Sequence, residues 1–194
     1  MPNSLATKRA LADSLKTLMM NKSINKIKVK EVTDNCGITR RTFYNHFNDT
    51  YELLGWIYEH EVIEDIEKYY NMNEWKKAIK IVLDYTIHNK EICLNTYNSL
   101  GREYLERFLY NIFSNALKGI INDMTKDIDV EDYIKSENER FYTIGIVGEF
   151  ILWLRDGLRE DVDSVLSRIE ILMDDTLYYS LTKSTEKNIF SVLV

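Results

Sequence analysis

Lys28-Val29-Lys30-Glu31-Val32-Thr33-Asp34-Asn35-Cys36-Gly37-Ile38-Thr39-Arg40-Arg41-Thr42-Phe43-Tyr44-Asn45-His46-Phe47 is the stretch that decides how this chain folds. Val29, Val32 and Cys36 share one face of a helix of about two turns, and Gly37 stands where such a helix ends in a left-handed residue. Thr39 is a good N-cap for a following helix whose Phe43 and Phe47 turn toward a core. Two very short helices joined by a three- or four-residue turn containing glycine describe a helix-turn-helix. The second helix also carries Thr39, Arg40, Arg41, Thr42, Tyr44, Asn45 and His46, side chains that no core would take. A solvated helix in an ordinary bundle explains the charges. It does not explain Gly37, the shortness of both helices or the Tyr/Asn/His cluster.

Outward from this stretch the pattern stays helical. Leu11, Leu15, Leu18 and Met19 predict a helix from Ser4 to about Met20, followed by a loop whose Ile24 and Ile27 fold back onto a small core. Asp49 and Glu52 have the spacing of a capping box, and Leu53, Leu54, Trp56, Ile57 and Ile63 predict one long helix from about 49 to 70. Further helices are expected over about 73–89, 91–100 (broken at Gly101), 103–122, 130–158 and 162–181, with an acidic loop at 123–132 and a ragged tail. The single proline, Pro2, and only 7 glycines fit long uninterrupted helices. No alternating run supports a strand, so the expected fold is all-α. Its expected organisation is a helix-turn-helix domain over 1–48 and a larger helical domain over 49–194. No Pro/Gly/Ser linker separates them, so head and body should move as a coupled unit.

The net charge of −6 hides an asymmetry. Residues 1–50 hold nine Lys or Arg against four Asp or Glu, a net of +5; the rest hold 16 against 27, a net of −11. A basic head suits a polyanion, and an acidic body needs none. No window approaches a transmembrane span, so no membrane-crossing helix is expected, and the first turns are amphipathic rather than leader-like. Two cysteines, Cys36 and Cys93, make no disulfide framework and fit a cytoplasmic protein.

A major groove about 12 Å wide admits one helix with polar groups on one face and apolar anchors on the other. With Phe43 and Phe47 as anchors, Arg40 and Arg41 are expected at base edges or nearby phosphates. Thr42 is expected at a thymine methyl or phosphate, and Tyr44 and His46 on the backbone. Thr39 and Asn45 complete the set, and Lys28 and Lys30 should grip phosphate at the start of the preceding helix.

Val32, Gly37-Ile38-Thr39, Thr42-Phe43-Tyr44, His46-Phe47 and Leu53-Leu54 match in order and spacing the helix-turn-helix signature of the TetR/AcrR family, which this chain resembles. The run from Cys36 to Tyr44, with Asp49 and Tyr51-Glu52-Leu53-Leu54, resembles the branch of the dihydroxyacetone-kinase-operon regulator. Gly148 and Trp153-Leu154-Arg155-Asp156-Gly157 resemble the penultimate helix of that branch. The resemblance implies a homodimer reading a palindromic operator on double-stranded DNA, released or altered by a small-molecule effector in the body. Repression is the commoner implication; the alternative is a co-activator or adaptor acting through a partner protein. Where the family usually has a phosphate-binding lysine this chain has Thr50, which should weaken the grip or pass the contact to Tyr51. A small residue often stands at Arg41 in the family, so its base preference does not carry over.

The resemblance also places dimerisation on the last two long helices. Phe141, Gly145, Gly148 and Leu152 lie close to one face of the first; Val165, Ile169, Leu172, Met173 and Leu177 form a wide stripe on the second. The stripes alone fit burial within one chain equally well. Tyr85, His88, Tyr104, Phe108 and Trp153 could line a mostly apolar effector pocket with polar tips, or serve as ordinary core and surface. His60 with Glu64, and His88 with Glu91 and Cys93, lack the further ligands a metal needs, and no cofactor is implied. An enzyme would need convergent titratable groups, and no spacing here supplies them.

Overall fold

The computed structural model describes residues 4–71 and 73–191, with the side chains of all of these but 63–65, 67, 174–175 and 184–191. Helices account for the described elements and no strand occurs among them. They are α1 (Ser4–Met19), α2 (Val29–Cys36), α3 (Arg40–Tyr44), α4 (Thr50–Ile66), α5 (Trp75–His88), α6 (Lys90–Tyr97), α7 (Arg102–Met124), α8 (Asp132–Arg155) and α9 (Val162–Ser191). Three-residue 3-10 turns occupy Ile24–Lys26 and Glu67–Tyr69, so α4 ends a turn earlier than its apolar pattern promised. In contrast, α9 runs on to Ser191 rather than stopping near Leu181. Ile63, expected on the inner face of α4, lies outside the described side chains.

The chain divides into two compact units: Met1–Glu64 with Thr86–Phe108, and Asp65–Tyr85 with Leu109–Val194. In the first, Leu11, Leu15 and Met19 of α1 pack with Ile24, Ile27, Val32, Phe43, Phe47, Leu53, Leu54 and Ile57, all buried. Ser14 hydroxyl donates to the Val32 carbonyl at 2.7 Å and accepts from Asn35 Nδ2 at 3.0 Å, tying α1 to α2. Lys16 pairs with Glu61, joining α1 to α4. In the second unit, α5, α7, α8 and α9 enclose a core that includes Trp75, Leu83, Phe113, Leu117, Phe150 and Val165. Phe113 and Phe150 meet with ring centroids 5.2 Å apart.

Gly37 has φ +69°, as the helix-ending reading requires, and the Ile38 N–H returns to the Thr33 carbonyl at 3.0 Å. A Cβ placed on Gly37 would meet nothing within 4 Å, so only the backbone conformation resists a side chain. Gly37→Ala should therefore cost about 1 kcal/mol, read as a lowered thermal midpoint. Gly37→Asn, which tolerates the left-handed region better, should recover part of that loss.

Candidate nucleic-acid interface

The Thr39 hydroxyl accepts the Thr42 N–H at 3.1 Å, so α3 starts at a true N-cap. The helix is only five residues long, too short to hold itself together. Phe43 anchors it from inside, 5.9 Å from Phe47 and 5.5 Å from Tyr44 between ring centroids. Phe47 in turn packs edge-on against Trp56 of α4, at 6.0 Å. The N–H groups of His46 and Phe47 both return to the Phe43 carbonyl, which prolongs the turn past Tyr44.

Against this scaffold Thr39, Arg40, Arg41, Tyr44 and Asn45 are exposed, as are Lys28 and Lys30 on the preceding helix. Neither Arg40 nor Arg41 is ion-paired among the described residues. Tyr44 leaves half of its surface (50%) in solvent. Thr42 and His46 are half-buried, and the Thr42 hydroxyl shares a 2.8 Å hydrogen bond with that of Thr39. The start of α2 is fixed by Glu31, whose carboxylate accepts the Lys28 N–H at 2.9 Å and pairs with Lys22 at 2.6 Å. The Lys22 hydrogen bond first, then that of the Lys28 backbone, holds the Glu31 carboxyl below its ordinary range.

At the start of α4 the structure corrects one expected contact. Thr50 is 6% exposed, so its side chain is packed rather than presented. Tyr51 is half-buried, and its hydroxyl donates to Asn25 Oδ1 at 2.8 Å while its ring stacks on Tyr104. The Asp49 carboxylate caps the helix by accepting the Tyr51 and Glu52 N–H groups, both at 2.8 Å. The Glu52 carboxylate reaches back to Asn48, not to Asp49, accepting its backbone N–H at 2.6 Å.

Asn25 and Asn95 are the residues that sequence reasoning missed. Asn95 Nδ2 donates to the carbonyls of Met19 and Lys22, each at 2.8 Å, and its Oδ1 accepts the Ile24 N–H at 3.0 Å. These partners lie more than 70 positions away in the chain. No local pattern signals such bonds.

Of the residues expected to line an effector pocket, His88, Tyr104 and Phe108 belong to the first compact unit and Tyr85 and Trp153 to the second. Phe108 is buried against Tyr58, with ring centroids 5.2 Å apart, and Tyr104 is the stacking partner of Tyr51. Trp153 is buried, and its indole N–H donates to the Glu160 carbonyl at 2.9 Å. Tyr85 is half-buried and His88 exposed, on either side of the division between the compact units. Trp153 also edges a polar cleft of about 770 Å³ at the turn from α8 to α9. There Arg168 donates to both Glu160 oxygens, at 2.8 and 2.7 Å, and to Glu149 at 2.8 Å. Glu160 is held below the ordinary carboxylate range chiefly by that hydrogen bond from Arg168, and Asp161 by those from Ser164. Both values are depressed, so the stabilisation is complete above the ordinary carboxylate range and is lost as pH falls through the lowered values. The thermal midpoint should drop between neutral pH and about pH 3.5, and Glu160→Gln should make that drop shallower.

The stripe expected on α9 divides. Val165, Ile169 and Met173 are 0%, 1% and 3% exposed, so they are core of their own chain and not available to another. Leu172, one position round the helix, is 54% exposed. On α8 Phe141 (72%), Ile144, Gly145 and Leu152 are exposed, and a Cβ on Gly145 or Gly148 would meet nothing within 4 Å. An apolar groove of about 350 Å³ runs between the two helices past Phe141, Gly145 and Leu172.

Comparison with known proteins agrees with this arrangement. Residues 73–175 match the family described as a transcriptional regulator C-terminal region, of the TetR type. A curated relative, the HTH-type dhaKLM operon transcriptional activator DhaS of Lactococcus lactis subsp. lactis (strain IL1403), is 30% identical over 132 residues, 66% of this chain and 68% of the relative. A solved structure titled dihydroxyacetone kinase operon activator DhaS superposes with a TM-score of 0.70 at 25% identity, covering 92% of this chain and 97% of that one. No helix among the described residues is long and apolar enough to cross a membrane. An all-α fold, a capped helix-turn-helix and these matches lead to one conclusion: the chain belongs to the TetR family of transcriptional regulators.

Proposed function

We propose that this regulator is a homodimer that reads a palindromic operator on double-stranded DNA, one helix-turn-helix per half-site. One observation carries the reading. The exposed and unpaired Arg40 and Arg41 are presented on a turn whose capping (Thr39) and anchoring (Phe43, Phe47) leave it no other role. Lys28, Lys30, Tyr44, Asn45 and His46 supply the surrounding contacts, with Thr39 and Thr42 shaping the helix they flank. Residues 1–48 are the DNA-binding part and 49–194 the dimerising and sensing part.

The dimer forms through the exposed face of α8 (Phe141, Gly145, Gly148, Leu152) and Leu172 of α9. Open glycines next to large exposed apolar side chains favour a second helix packing there. A small-molecule effector acts by binding one spacing of the heads better than another, lowering DNA affinity by that differential. Both relatives reported above are named as activators, which favours activation over the repression that the family resemblance alone implies. The protein works in the cytoplasm, where its DNA is.

Titration with duplex DNA at rising salt tests the reading. A dimer gripping several phosphates should lose affinity steeply, and binding that is absent or indifferent to salt would reject it. Arg40→Ala with Arg41→Ala should weaken operator binding more than random-duplex binding, by about 1–3 kcal/mol for each base edge that goes unread.

A further inference from the structure

The segment between α1 and α2 leads within two residues to Lys28, yet it has little structure of its own. Its backbone closes one three-residue 3-10 turn, through the Lys26 N–H to Ser23 and the Ile27 N–H to Ile24. Beside the buried Ile24 and Ile27 and the Lys22–Glu31 pair, two asparagine side chains hold it. Asn95 of α6 holds Met19, Lys22 and Ile24 by their backbone groups. Asn25, within the segment, accepts with one oxygen both the Tyr51 hydroxyl, at 2.8 Å, and the Leu100 N–H, at 3.1 Å. Leu100 lies in the corner between α6 and α7, and Tyr51 lies in the first turn of α4. Tyr104 of α7 stacks under the Tyr51 ring, 5.8 Å between centroids and 16° from parallel. Five hydrogen bonds from two side chains thus set the entry to α2 and the start of α4 against a single corner.

The Tyr51 hydroxyl also has a direction. Burial, and after it the Asp49 carboxylate, pushes the phenol above its ordinary range. Its proton goes to Asn25 Oδ1 rather than to solvent.

Resting on the DNA-binding reading above, we infer that Asn25, Asn95 and Tyr51 are positioning residues of the DNA interface. They fix the lysines of α2 and the first turn of α4 relative to the α6–α7 corner, and the Tyr51 hydroxyl serves this clasp rather than a phosphate.

A double-mutant cycle in the full-length protein tests this. Asn95→Ala removes three bonds and endangers the fold, so Asn25→Ala and Tyr51→Phe, each removing at most two, carry the decision. Duplex-DNA affinity is measured for both and for the double variant over a range of salt, together with amide hydrogen exchange at Leu100 and Ile24 without DNA. Each single variant should bind about 3–10-fold more weakly, with the double variant no weaker than the worse single one and the salt dependence unchanged. Leu100 should exchange faster in Asn25→Ala. Additive losses, with exchange at Leu100 in Asn25→Ala no faster than in the unaltered protein, would place the hydroxyl on DNA and overturn the inference. Unchanged affinity beside a lowered thermal midpoint would make the clasp purely structural, which also overturns it. If the unaltered protein binds no duplex at low salt, the DNA-binding reading fails and this inference falls with it; the exchange data then report only whether the clasp exists.

Discussion

Phe141→Glu combined with Leu172→Glu should leave the helical content unchanged, convert the protein to a monomer and weaken operator binding at least ~100-fold. These side chains are 72% and 54% exposed, so neither contributes to the packing of its own chain in proportion to its size. In a two-fold interface each substitution counts twice, so four carboxylates would enter an apolar contact. Burying each unpaired costs several kcal/mol, more than a face of this size can offset. The DNA effect follows from the loss of linkage: a second head binds as a tethered neighbour only while the dimer holds. Sedimentation and DNA titration on the same preparation read both consequences. Val165→Glu is the informative contrast. Val165 has no exposed surface, so that substitution should unfold the second compact unit rather than separate two folded subunits.

Phe43→Ala should cost about 3–5 kcal/mol and abolish DNA binding. Phe43 is fully buried and supplies the apolar anchor within α3 itself, a helix with too few internal hydrogen bonds to persist alone. Without its ring, Phe47 and Tyr44 have no aromatic surface between them, and the capped turn at Thr39 has nothing to lie against. Thermal melting should show the first compact unit losing stability, and duplex binding should vanish even where most helices remain. Phe43→Leu keeps most of the buried volume and should retain DNA binding with a smaller loss of stability.

Much of the helix-turn-helix was legible because its determinants are local. Gly37 requires a left-handed residue, Thr39 offers an acceptor three residues before an N–H that needs one, and Phe43 and Phe47 are one helical turn apart. Each constraint acts within four positions, and the structure has all three. The α8–α9 surface was only half legible. A period of 3.6 residues marks Val165, Ile169, Leu172 and Met173 as apolar, but it does not say which chain covers them. Packing within one bundle takes Val165, Ile169 and Met173 and leaves Leu172 outside. The surroundings of Thr50 and Tyr51 were not legible, for a different reason. Their position in the chain suggested a phosphate contact, but burial and a partner 26 residues away decide what their side chains do. Aromatic rings with polar tips mark candidates for an effector pocket, but sequence does not say which of them the core takes; Phe108 and Trp153 are buried.

The most direct test of the account is selection of bound sequences from a pool of random duplexes of about 30 base pairs, using the unaltered protein. Two heads related by a two-fold axis should enrich an inverted repeat whose half-sites are centred about one helical turn apart, or a multiple of it, and the Phe141→Glu, Leu172→Glu variant should enrich none. A single unrepeated site, or a pool that stays random through successive rounds, would contradict the claim that this chain reads DNA as a symmetric pair.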